Sequence, residues 1–315
     1  MKLTPTLLFA LCVAASAPAF AAQLHTELPA TPNRFTVALS APVDRFEIKG
    51  MLVERHGLGP KNLILIPGLA TGGWVWQETA REFAASHSVY VVTLPGFDGR
   101  PALEGNPFDA ARAALLELMV SRRLVKPVLV GHSLGGTLGI SLAADEPGRI
   151  GGVVSVDGLP VFPRTEDLPA EQRAGMAEGM RRQMAGLAAP AFAAQQRQYM
   201  RANGMVDMFK ADDAAGLTAR SDPQAVGAYM AAVLAQDLRA RLPSIAAPVL
   251  VVVPSYAPDL ARQGVSATEK LAYYRELMTG TKRLEMAAID NARHFAMIDQ
   301  PRAFNDVLRR FLNTL

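Results

Sequence analysis

Three short runs of unbroken apolar residues, each followed by a turn and then by helical spacing, limit what this chain can fold into. The runs are Leu63-Ile64-Leu65-Ile66, Val89-Tyr90-Val91-Val92 and Val128-Leu129-Val130, and Gly152 to Val156 reads as a fourth strand. Alternate side chains of a strand point to opposite faces, so an unbroken apolar run suits a strand covered on both. Between these strands, Val75 to Ala84, Phe108 to Val120 and Leu134 to Ala144 read as helices. Strand and helix in alternation predict an α/β fold: a mostly parallel central sheet with helices on both faces. Phe46-Glu47-Ile48 alternates instead, as a half-buried strand does.

The rhythm breaks near Leu159. Residues 159–243 are rich in Ala, Met and Gln, with helical spacing and no clear strand. Seven of the 13 methionines fall there, and Met176, Met180 and Met184 recur at i, i+4 and i+8. Such a stripe reads first as core, with a share left over for an adaptable apolar cleft. Strand character returns at Val249 to Val253 and at Leu284 to Ala288, with helices near Thr268 to Met278 and after Pro301. The expected organisation is an N-terminal extension over 22–45, a core over 46–158 and 244–315, and a helical cap inserted over 159–243.

The chemistry is expected at strand ends. Gly131-His132-Ser133-Leu134-Gly135-Gly136 fits G-x-S-x-G and sits between a buried strand and a helix, the setting that motif requires. The serine then stands on a tight turn with its hydroxyl above the sheet, and the small residues let strand and helix backbones pass closely. The helix from Leu134 points its N-terminal amides at the same place. A serine hydroxyl needs an adjacent base. Of five histidines, His25, His56 and His87 lie upstream, and His132 adjoins the serine and is expected to point away from it. His294 follows the final core strand and is assigned as general base and then general acid.

On these residues the chain resembles an α/β-hydrolase, over about residue 46 to the C-terminus. The nucleophile elbow, the order Ser…acid…His and the helical cap carry the likeness. It implies a Ser-His-Asp triad that cleaves carboxylic esters of fairly apolar acids through an acyl-enzyme, with no metal and no organic cofactor. The family usually keeps its acid about three residues past the strand after the cap. That strand ends here at Val253-Pro254; position 257 is alanine, and Asp259 is the nearest carboxylate. Some members keep the acid at the end of the strand after the elbow helix, where this chain has Asp157. Asp157 is taken first, Asp259 as the alternative acid, and Asp290 or another group last. The oxyanion hole would use the backbone amide of Leu134 and that of Leu69 in the loop Pro67 to Gly73. No Gly-Lys-Ser/Thr follows that loop, which sets aside a phosphate-binding reading. Trp74 and Trp76, just beyond, would either wall a pocket or pack a helix.

Fold and triad do not choose among ester, amide, lactone and C–C substrates. An aminopeptidase-like use is the near rival, and a non-catalytic binding protein on the same fold is the distant one. The aspartate nucleophile of dehalogenases is absent. The expected partner is a small-molecule ester. A net charge of +3, with no basic stripe, gives nucleic acid no footprint. No oligomeric state is legible.

Met1-Lys2, the apolar run Leu7 to Ala17 and Ala19-Phe20-Ala21 predict a signal peptide over 1–21, cut after Ala21. The protein would then be exported, periplasmic or secreted, with no stable membrane anchor. The single cysteine, Cys12, lies in that leader. Leu11 stands before it where a lipoprotein signal wants a small residue, so the exported chain would carry neither lipid nor thiol.

Overall fold

The apolar runs are indeed strands, and they lie side by side. A computed structural model of the chain describes residues 33–37 and 39–315. The leader, Cys12 and His25 lie outside the described residues. Eight strands form one sheet: β1 (Asp44–Ile48), β2 (Met51–His56), β3 (Lys61–Ile66), β4 (His87–Thr93), β5 (Val128–His132), β6 (Gly152–Val156), β7 (Val249–Ser255) and β8 (Leu284–Asp290). Their spatial order is β1-β2-β4-β3-β5-β6-β7-β8. β1 and β2 run antiparallel at one edge, and every pair from β4 to β8 is parallel.

Each buried strand divides between two cores by alternation. Ile64, Ile66, Leu129 and Val153 face one apolar cluster. Leu63, Leu65, Val130 and Val154 face the other. Burying one such side chain fully contributes about 1.5–3 kcal/mol, which is why both faces must be covered. In chain order the helices are α1 (Gln77–Phe83), α2 (Pro107–Ser121), α3 (Leu134–Asp145), α4 (Ala170–Ala185), α5 (Ala189–Tyr199), α6 (Met208–Thr218), α7 (Pro223–Ala235), α8 (Ala257–Gln263), α9 (Ala267–Leu277), α10 (Ala296–Asp299) and α11 (Pro301–Leu312). α2, α3 and α9 cover the first face, α1 and α11 the second. In α11, Phe304, Val307, Leu308, Phe311 and Leu312 make the stripe, at the i, i+3, i+4, i+7 spacing of an amphipathic helix.

Helix starts are sharp where polar caps are present. Asn106 accepts from the amides of Phe108 and Asp109 before Pro107 opens α2, and Ser266 and Glu269 close a capping box on α9. Each such cap is worth about 1 kcal/mol.

Between β6 and β7 stand four helices, α4 to α7, with one π-helical turn at Met200–Gly204 after α5. They do not form a separate core. Met184, Phe192 and Tyr229 join the first sheet cluster, Met200, Met205 and Ala215 the second. Met184 of the methionine stripe is buried and Met180 packs beside it. An antiparallel bridge from Val161 to Asp237 ties the two ends of the insert together.

The structure departs from expectation at a few edges. β1 begins at Asp44, two residues before the expected core start, because Asp44 pairs with Arg55. β2 was not foreseen. It returns through Lys49 and Gly50, both at positive φ, a pair that suits a two-residue hairpin. The expected helix from Val75 opens instead as a 3-10 turn, Gly73–Trp76, and only then becomes α1. Trp74 and Trp76 are both buried in the second cluster, against Phe35 and Phe304. Among the described residues no helix is long and apolar enough to cross a membrane.

Candidate active site

β3 has β4 on one side and β5 on the other, and the chain changes direction there. The loops leaving the C-terminal ends of such strands diverge and open a crevice. Several residues at those ends have positive φ without being glycine, among them Ala70 after β3 (φ 58), Ser133 after β5 (φ 52), Asp157 after β6 (φ 52) and Asn291 after β8 (φ 54). Each costs about 1–3 kcal/mol and persists only because its surroundings hold it.

Ser133 stands between β5 and α3 with ψ −117 and is partly exposed. Its amide donates to Val156 O at 2.8 Å. The turn is tight because Gly135 lies directly over β3: a Cβ there would stand 2.3 Å from Ile66 O. A Cβ on Gly68 would be 2.5 Å from His132 Nδ1 and 3.3 Å from Ser133 Cβ, so the β3 loop rests against the elbow. Leu134 is the first residue of α3, and its amide has no acceptor in its own helix. Leu69 lies in the β3 loop and is partly exposed. Neither amide donates to a described protein acceptor.

His294 comes from the loop after β8. Its Nδ1 stands 2.6 Å from Asp157 Oδ2, across 137 residues of sequence. A carboxylate only accepts, so Nδ1 carries the proton and Nε2 is the open lone pair of the neutral ring. Tyr274 of α9 donates its hydroxyl to Asp157 Oδ1 at 2.5 Å. Burial, the largest influence on Asp157, favours its neutral form. The hydrogen bond and charge of His294, the charge of Lys270 and the Tyr274 hydroxyl outweigh it and hold the carboxyl well below the usual range. Burial pushes the Tyr274 hydroxyl far up, and Asp157 adds to that, so it stays a donor.

Asp259 is not at the imidazole. It pairs with Arg293, from Nε at 2.8 Å and Nη2 at 3.0 Å, and with Arg262. Arg293 also donates to Arg201 O and Met205 O, and its amide to Asp299. The flanking amides of His294 and Phe295 donate to Asn203 O and Gly204 O. The loop that presents His294 is thereby tied to the π-helical turn of the insert. Asp290 closes β8 and is exposed. His56 and His87 lie at the opposite end of the sheet, where His56 pairs with Val89 and His87 opens β4.

His132 has a part that spacing did not reveal. Its buried ring lies 4.4 Å from that of His294, and its Nε2 bonds the His294 carbonyl at 3.0 Å. Nδ1 is buried without a partner. Burial pushes its pKa well down, and the neighbouring His294 adds to that. An unfolded histidine takes up a proton below about pH 6.5. The folded one resists it, so below that value the unfolded chain binds more protons and stability falls with pH. The midpoint of urea unfolding should drop between about pH 7.5 and about pH 5, and His132→Gln should flatten the drop. An equal drop in the variant would remove His132 from this account. Tyr274 and Arg293 were also missed, since neither has a local pattern to mark it. Among the described residues no three His, Cys, Asp or Glu side chains gather as a metal site would need.

A serine on a strained strand-to-helix turn, with a His–Asp pair brought together from the ends of two further strands of the same sheet, defines a class of hydrolases. The chain belongs to the alpha/beta hydrolase family, whose sequence model matches residues 63–307. It is similar to a pimeloyl-[acyl-carrier protein] methyl ester esterase of Nitrosospira multiformis, 28% identical over 277 residues, covering 83% of this chain and 97% of that one. The enzyme of the same name from Aeromonas salmonicida is 35% identical over 117 residues, 37% of this chain; the match spans less than half of that relative, 45%. In structure it is similar to a thermophilic esterase from Thermogutta terrifontis, with TM-score 0.67 and 20% identity, over 86% of this chain and 98% of that one.

Proposed function

We propose that this protein is an exported carboxylic ester hydrolase with Ser133 as nucleophile, His294 as general base and acid, and Asp157 as the acid of the triad. The observation that carries the reading is the 2.6 Å contact from His294 Nδ1 to Asp157, at the end of the strand next to the one that bears Ser133. Relatives named as methyl ester esterases support ester cleavage, above all the one matched over 97% of its length.

Ser133 Oγ attacks the ester carbonyl while His294 Nε2 takes its proton. The imidazolium is stabilised by Asp157, which remains ionised. Charge develops on the carbonyl oxygen, and the amides of Leu69 and Leu134 receive it. Donors already aimed there need no reorganisation as the charge forms. The tetrahedral species expels the alcohol, which takes the proton from His294. Water then enters by the same route in reverse and releases the acid. The residues of this chain supply every proton transfer.

Incubation with a fluorophosphonate, followed by a series of p-nitrophenyl esters beside a peptide anilide, tests this. Ser133 should be labelled, and esters turned over faster than the anilide. Labelling with anilide cleavage alone would make the protein an amide hydrolase. An inert, folded protein would make it a binding protein on the same fold. Export rests on the pattern of residues 1–21. It is tested by the mass of the chain recovered from intact cells, which should begin at Ala22; a chain still carrying residues 1–21 overturns it.

A further inference from the structure

We propose that Thr71 and Ser221 are positioning residues that aim the Leu69 amide, which makes the cap insert part of the oxyanion hole's support. The proposal rests on the reading of Leu69 as an oxyanion donor. Gly68 to Thr71 form a four-residue turn closed by Thr71 N to Gly68 O at 3.3 Å. Its third residue, Ala70, takes the positive φ that a turn of type II demands there, usually from glycine. That conformation costs an alanine about 1–2 kcal/mol, so something must hold it.

Two hydroxyls do so. Thr71 Oγ1 donates to Gly68 O at 2.9 Å, which therefore accepts twice from one residue. The peptide from Gly68 to Leu69 is trans, so its N–H points opposite to its C=O. Pinning Gly68 O thus fixes the direction of the Leu69 N–H. Ser221 Oγ donates to Ala70 O at 3.0 Å and pins the peptide from Ala70 to Thr71, so the turn is held on both sides of Leu69 and Ala70. The Asp98 amide donates to the same oxygen of Ser221 at 3.0 Å, which leaves the serine's proton to Ala70. Thr71 and Ser221 are both buried, so water does not compete for either bond.

Ser221 belongs to the insert, in the turn between α6 and α7. That turn is sewn to the core on both sides: Gly99 N donates to Arg220 O at 3.1 Å, and Asp222 N to Gly96 O at 2.8 Å. Arg220 also pairs with Asp98. The cap is therefore fixed at this corner, and the oxyanion loop feels it through one hydroxyl.

Losing an oxyanion donor outright costs about 10²–10³ in kcat, and misaiming one costs a part of that. Thr71→Val keeps the shape without the hydroxyl and should lower kcat on an activated ester by about tenfold or more. KM should stay within about twofold, since the bond matters only when the oxyanion forms. Affinity for a trifluoromethyl ketone, whose adduct carries that oxyanion, should fall by the same factor as kcat. Thr71→Ser retains the hydroxyl and should return both. Ser221→Ala should lower both in the same direction, severalfold. A Thr71→Val protein with unchanged kcat and ketone affinity overturns the proposal, as does a Thr71→Ser protein no better than Thr71→Val. If Thr71→Val does not fold, Ser221→Ala decides, and unchanged ketone affinity in it overturns the proposal. A wild type inert to esters and to fluorophosphonate would instead overturn the reading of the site itself.

Discussion

Ser133→Ala is expected to lower kcat on an activated ester by on the order of 10⁶-fold, and to abolish fluorophosphonate labelling. The fold should be untouched, since Ser133 is held by its backbone: its amide and carbonyl bond Val156 O and Thr137 N. His294→Ala should cost about as much, and the double variant little more, because the two act as one unit. Additive losses, or a Ser133→Ala protein within about tenfold of wild type, would refute the assignment.

The second large effect concerns which carboxylate serves. Asp157→Asn is expected to lower kcat by about 10⁴-fold, because an amide in place of the carboxylate favours the wrong tautomer of His294 and fails to stabilise its imidazolium. Asp259→Asn should leave kcat within about tenfold and lower stability by about 1.5–3 kcal/mol, the range for a hydrogen bond to a charged group. Its carboxylate bonds Arg293 instead of the imidazole, and so holds the loop, not the proton. The two variants also differ in acid. The carboxyl of Asp157 is held below the usual range in the folded chain. Its stabilising contribution is therefore present above the ordinary carboxylate pKa and lost as pH falls through the lowered one. Asp157→Asn should lose that part of the acid dependence. If Asp259→Asn shows the larger fall in kcat, the two roles are exchanged.

Much of the core was legible because its causes are local. Leu63 to Ile66 is apolar at every position, and only a strand buried on both faces can use all four side chains. Gly131 and Gly135 flank a serine between strand and helix, and a Cβ at either would meet backbone at 2.1 or 2.3 Å. The hairpin strand β2 was hidden because Glu54 and Arg55 interrupt its apolar residues, which half-buried positions near the end of the strand tolerate. α8 was hidden because Ala257-Pro258 looks like a turn, although proline suits the first turn of a helix.

The acid was legible only as a choice. Asp157 and Asp259 both follow a strand, and spacing alone gives each a path to His294. What separates them is the register of β6 against β7 and the loop after β8, which turn one toward the imidazole and leave the other to Arg293. Tyr274, Ser221 and His132 had no signal in sequence for the same reason. Each acts on a partner set by packing: Tyr274 on a carboxylate 117 residues away, Ser221 on a carbonyl 151 residues away.

By itself, then, the sequence determined the alternation of strand and helix, the strained turn at Ser133 and the one histidine downstream of it. Those follow from side-chain periodicity and local sterics, which need no partner. The tertiary structure alone decided which carboxylate meets that histidine, what orients the β3 loop, and that the insert is tied to both. These are contacts between segments distant in the chain, and their geometry exists only once the sheet register and the packing of its loops have brought the atoms within hydrogen-bond reach.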